Sequence, residues 1–181
     1  GGNTPPYFNA IEREILGLSE AVVLDRSGSY TLEPIHESNL FYRIDTDSDD
    51  EYYLLECRAE EGWDAYIGGE GMLVYHIDKS SSVIDKWNYY NTVNADHSHQ
   101  CADLIEADSR SDEFTDDSDY ASRIRNIKGV FFPTSGVTSL ESLEYWSGDK
   151  SSKSVTAIRE VDGGVSFSLL TDDSDSPPVA V

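Results

Sequence analysis

The stretch "GEGMLVYHID", residues 69–78, ends in a histidine and an aspartate two residues apart. A His–x–Asp pair can supply a general base and the carboxylate that orients it, provided a nucleophile or a metal lies alongside. On a strand, residues two apart share a face, so Met72, Val74, His76 and Asp78 point one way and Leu73, Tyr75 and Ile77 the other. The first face runs from apolar to polar. That is the profile of a strand leaving the core, with Asp78 accepting hydrogen bonds in the following loop. No Gly-x-Ser-x-Gly elbow offers a nucleophile, and the serines lie in polar loops.

Other segments carry ligand-type side chains. In "ADHSHQC", His97, His99 and Cys101 alternate and could face the same way on a strand, which suits zinc if a fourth ligand joins them. A second route to zinc is convergence of His76, His97 and His99. In "DTDSDDEYYLLE", Asp45, Asp47, Asp49 and Glu56 fall at positions 1, 3, 5 and 12 of an EF-hand count. Position 6 is Asp50 rather than glycine and the flanks read as strands, so the match is coincidental. A better calcium candidate is the loop from Asp103 to Asp119, where Asp108, Asp112, Asp116, Asp117 and Asp119 repel one another unless solvated or bound to a cation. No His-Glu-x-x-His, P-loop or GxGxxG occurs.

Composition narrows the partners. Thirty-five acids against thirteen bases give a net charge of −22. That argues against a phosphate-backbone partner, whose binding requires lysines and arginines, and it weighs against anionic membrane surfaces. Such a balance suits solubility in an extracellular or high-salt setting. No apolar run reaches the roughly 20 residues of a membrane span. Cys57 and Cys101 cannot make a CxxC motif, and they are either one disulfide or two buried thiols.

The elements that must position these residues are mostly strands. "TPPYFNAIEREILG" predicts a helix over 5–16, with Thr4 capping, Pro5 at the first position and Gly17 as the stop. Phe8, Ile11 and Ile15 form its apolar stripe, a face that something must receive. "AVVLDRSGSYTLEPI" predicts two short strands around an Arg-Ser-Gly turn, and "NLFYRI" with "EYYLLECR" predicts a pair around an acidic tip. "SVTAIREVDGGVSFSLL" is a hairpin turning at Asp162-Gly163-Gly164. Residues 79–135 read as long irregular loops with short helical turns, and 171–181 has linker composition. The expected fold is mainly β, a sandwich or bent mixed sheet with an N-terminal helix.

In order, "TPPYFNAIEREILGL", "GSYTLEPI", "EYYLLECR", "GWDAYIGGEGMLVYHID", "KWNYYNTVN", "ADLIEAD" and "SVTAIREVDGGVSFSLL" resemble the region downstream of the zinc-binding helix in the immune inhibitor A family of secreted zinc metallopeptidases. The resemblance covers residues 4–170 and is most specific from Glu51 to Asp78. The chain departs from the family pattern with Cys57 in place of a common Asn, Gly68 in place of a turn Pro, and Thr134 where a Gly is frequent. The Cys57 exchange favours the disulfide with Cys101.

The family's zinc ligands and catalytic glutamate belong to a motif absent from these residues, so the resemblance carries over no catalytic residue and implies zinc only in the parent enzyme. It implies that residues 1–17 end the catalytic core and that 18–170 form a β-rich domain following it. That domain would support the core and the substrate cleft of a secreted peptidase, whose partners are the preceding catalytic domain and a protein or peptide substrate. The alternative is an independent extracellular β-sandwich module binding glycan or protein through Trp63, Trp87, Trp146 and the tyrosines of "WNYYN". Exposure of Trp87, Tyr89 and Tyr90 along one groove would favour the module, and their burial the support role.

Overall fold

A computed structural model describes residues 4–48, 50–108, 127–134 and 136–172. The fold is mainly β, with two sheets and a short N-terminal helix. The helix, α1, is shorter than its sequence predicts and spans Ala10–Leu16. Asn9 rather than Thr4 caps it. The Asn9 side chain accepts the Glu12 N–H while the Glu12 carboxylate accepts the Asn9 N–H, so two otherwise unpaired donors at the helix start are satisfied reciprocally. Pro5 and Pro6 therefore lie in the lead-in. Gly17 ends the helix in the left-handed conformation, at φ 64°.

The larger sheet has the order β1-β3-β4-β5-β6, built from Val22–Val23, Tyr42–Asp45, Glu51–Arg58, Gly71–Asp78 and Ala102–Ile105. Only β1 with β3 is parallel, and the other pairs are antiparallel. The smaller sheet is β2-β8-β7, from Gly28–Leu32, Gly164–Leu170 and Ser154–Val161. The two strands predicted around the Arg-Ser-Gly turn exist, but β1 and β2 belong to different sheets, so that turn carries the chain across the sandwich. The terminal hairpin forms as expected, with Val161 opposite Gly164. A Cβ at Gly164 would meet the Leu32 carbonyl oxygen, so the turn packs where only glycine fits.

Three elements depart from the expected loops. A helical turn, α2 (Ile35–Ser38), and a 3-10 turn at Gly62–Asp64 flank β4, and the predicted irregular region contains β6. The four residues of β6 are all half-buried, so no clean alternation marks them.

β4 and β5 are buried almost end to end because the large sheet is covered on both faces. On one face Tyr53, Leu55, Cys57, Met72 and Val74 join Leu32, Val155, Val165, Phe167 and Leu169 of the small sheet in the inter-sheet core. On the other face Tyr52, Leu54, Leu73, Tyr75 and Ile77 pack with Ala10, Ile35, Phe41 and Phe131. The alternation predicted for residues 72–78 therefore holds, with an apolar cover on each side.

Candidate functional site

The inter-sheet face ends in a column of four rings. Tyr53 and His76, cross-strand partners on β4 and β5, stack with centroids 4.5 Å apart and planes at 3°. Trp146 lies 5.2 Å beyond His76 at 10°, and His99 tilts against Trp146 at 4.5 Å. Carboxylates hold the two imidazoles: Glu51 Oε1 lies 2.9 Å from His76 Nε2, and Asp78 Oδ2 lies 2.7 Å from His99 Nε2. Glu51 Oε1 also accepts the Trp146 backbone N–H at 2.6 Å. His76 and Asp78 thus share a face as predicted but do not pair with each other. Each serves a partner from another segment.

Further bonds fasten the segment carrying Trp146 to the sheet. Tyr53 Oη donates to the Glu144 carbonyl at 2.6 Å, Tyr145 Oη to Asp47 at 2.8 Å, and Lys153 Nζ to the Asp45 carbonyl at 2.6 Å. Burial pushes the His76 pKa down, against the opposing pull of Glu51 and Asp78. Burial likewise pushes the Tyr53 hydroxyl up. A cleft of about 500 Å³ opens beside the column, lined by His76, Asp103, Glu141, Trp146 and Lys150 among others. Among the described residues no hydroxyl hydrogen-bonds to either imidazole. With Nε2 engaged and the ring faces covered, the column lacks the base–nucleophile contact of an acyl-transfer site. What the arrangement does is hold the segment carrying Trp146 to the strand ends.

The opposite face of the same strands carries a buried charge network. Arg58 grips Asp64 with two parallel bonds, Nε to Oδ2 at 2.8 Å and Nη2 to Oδ1 at 2.7 Å, and reaches Glu56 Oε1 through Nη1 at 3.2 Å. Glu56 and Asp64 are fully buried and Arg58 is 5% exposed. The remaining lone pairs are used on the N-terminal segment and on β5: Glu56 accepts the Ala10 N–H and the Tyr75 hydroxyl, and Asp64 accepts the Tyr7 N–H. Arg58 Nη2 donates to the Tyr7 carbonyl. Burial pushes the Glu56 pKa up, opposed by Arg58 and by the bonds from Ala10 and Tyr75. From spacing alone Glu56 holds only a coincidental EF-hand position. Its spacing from Arg58, i and i+2 on a strand, was the available sign that the two share a face.

The other candidates scatter. His97 is exposed while Cys101 is fully buried, and His99 turns to Asp78, so among the described residues neither predicted histidine set is brought together. Cys57 and Cys101 are free buried thiols, not a disulfide, and burial pushes Cys57 up to about 12. Of the calcium candidates, Asp108 is half-buried and bonds its N–H to the Gly129 carbonyl. Asp112, Asp116, Asp117 and Asp119 lie outside the described residues. Trp87 is half-buried and donates Nε1–H to the Asp78 carbonyl, while Tyr89, Tyr90, Trp63 and Tyr66 are exposed. Compared with known protein families, with curated proteins and with solved structures, the chain finds no match.

Proposed function

We propose that this chain is the β-rich support of a secreted zinc metallopeptidase, seated against the catalytic domain of the same polypeptide and contributing no catalytic group. The observation that carries the reading is the two-sidedness of α1. Its inner side is bonded to β4 through Ala10 and Glu56. Its outer side presents Ile15 and Leu16, and Phe8 just before the cap and Leu18 just after the helix stop add to the apolar surface, each of the four more than half exposed. A capped helix fixed on one side and apolar on the other has a surface suited to a partner. The resemblance from Glu51 to Asp78 supports the preceding catalytic domain as that partner, and the secreted location and parent zinc rest on the same resemblance.

The test compares two polypeptides. In the longer polypeptide that includes the upstream catalytic region, replacing Ile15 and Leu16 with serine lowers the melting temperature of the peptidase by several degrees and reduces casein cleavage. In residues 1–181 alone the same change leaves the melting temperature within a degree or two, because both side chains already face solvent. An equal loss in both polypeptides refutes the docking role, as does chelator-sensitive casein turnover by residues 1–181 supplied with zinc. The exposure of Tyr89 and Tyr90 favours the binding-module alternative, but Trp87 is held by Asp78 and does not join them in an open platform.

A further inference from the structure

We propose that the cleft beside the ring column binds a lysine or arginine residue of a peptide, the side chain entering the cleft and a peptide carbonyl accepting from Trp146 Nε1–H. The cleft holds about 500 Å³, within the roughly 300–1,000 Å³ of small-ligand sites. β6 contributes Asp103 and Ile105 to its lining, and the connection before β7 contributes residues 140–146 and Lys150.

The lining matches an aliphatic stem that ends in a cation. Ile105 and Leu140, both half-buried, leave apolar surface for the stem beside the buried Leu143. Among the described residues of the lining, Asp103, Glu141 and Glu144 outnumber the one ammonium, Lys150. Lys150 lies 3.4 Å from Glu144 in an exposed pair, which holds weakly. Glu141 is exposed and, among the described residues, accepts only from the Ser139 hydroxyl, at 3.3 Å. A guest ammonium or guanidinium therefore meets a carboxylate with no cation of its own, and the same carboxylates repel an anionic ligand.

A second observation points to the carbonyl. Trp146 lines the cleft, and its Nε1–H is buried with no hydrogen-bond partner, a costly state for a donor. Its ring already packs against both His76 and His99, which takes the surface a sugar would stack on and leaves the N–H as the indole's means of binding. An acceptor oxygen joined to an aliphatic cation is what a lysine or arginine residue carries and a free amine lacks. On the support reading above, on which this last step rests, the peptide is the substrate of the parent peptidase.

The experiment titrates end-blocked peptides into isotope-labelled protein and follows the indole N–H resonances by NMR, with that of Trp146 assigned through Trp146→Phe. Blocked Ala-Lys-Ala is expected to shift the Trp146 resonance saturably, while that of Trp87, which already donates to Asp78, stays in place. Blocked Ala-norleucine-Ala keeps the stem, loses the charge and binds at least about fivefold more weakly. Pentylamine keeps the charge, loses the carbonyl and is weakened to a similar degree. Glu141→Gln, at an exposed position, weakens the lysine peptide at least about threefold and leaves the norleucine peptide unchanged. The proposal is overturned by the lack of a saturable shift at Trp146, by norleucine or amine binding as tight as the lysine peptide's, or by a Glu141→Gln variant that binds the lysine peptide undiminished. None of these results touches the Ile15 and Leu16 docking test, so the support reading stands or falls separately.

Discussion

β4 and β5 present ionisable groups on both faces, and the two faces treat them differently. On the helix side Glu56, Arg58 and Asp64 are almost wholly removed from water, and their bonding is closed among themselves, Tyr75 and the N-terminal segment. On the inter-sheet side Glu51, His76, Asp78 and His99 sit where the strands leave the core, with His99 about 30% exposed and a cleft beside them. The first arrangement fixes α1 to the sheet. The second fastens a long connection to a strand end through stacked rings held by carboxylates. The lesson is positional. Two residues along a strand decide the face, while distance from the strand end decides whether a charge becomes a rivet or a titratable clasp.

The comparison breaks first at Arg58. Arg58→Leu leaves Glu56 and Asp64 buried without a counter-charge, and the expected loss is about 3–5 kcal/mol. Chemical denaturation measures it, and hydrogen exchange at Ala10–Leu16 should accelerate in step. A loss under about 1 kcal/mol would mean that the network does not fasten the helix.

A smaller effect is expected on the other face. Trp146→Leu removes the indole from between His76 and His99, and a stacked pair contributes about 0.5–1.5 kcal/mol beyond its burial. The loss should be about 1–3 kcal/mol by the same measurement, with exchange increasing around residues 140–153 while α1 stays protected. Deprotection of α1 instead would show that the two faces are not separable.

The subtlest contrast lies in pH. The His76 pKa is lowered on folding, so the unfolded chain binds more protons from pH 6.5 down to the folded value, and stability from this group falls as pH falls through that window. The Glu56 pKa is raised, so the folded chain binds more protons between its folded value and about 4.5, and this group regains stability on acidification. His76→Phe preserves a ring in the column and should flatten the slope of unfolding free energy below pH 6.5, leaving the Glu56 contribution of opposite sign in place. An unchanged slope in the variant would remove His76 as the source.

Much of the framework was legible beforehand. The helix stop at Gly17, the faces of residues 72–78, the terminal hairpin and the mainly β class all follow from local rules of backbone conformation and from periodicity, which act within a few residues. The helix start was misplaced because Thr4 before proline looks like a cap, whereas Asn9 with Glu12 forms the reciprocal one. α2 and β6 were missed because four residues carry too little periodic signal, and neighbouring segments stabilise them.

By itself the sequence determined which side chains share a strand face, because alternation is a property of the backbone. It also set the net charge of −22, because that is a sum no folding can change. Only the tertiary structure decided that His76 answers to Glu51, that Asp78 answers to His99, and that Glu56 receives the helix. Those partners lie 25, 21 and 46 residues apart. Which distant donor meets which acceptor is set by sheet register and by the docking of separate segments, and local spacing holds no record of either.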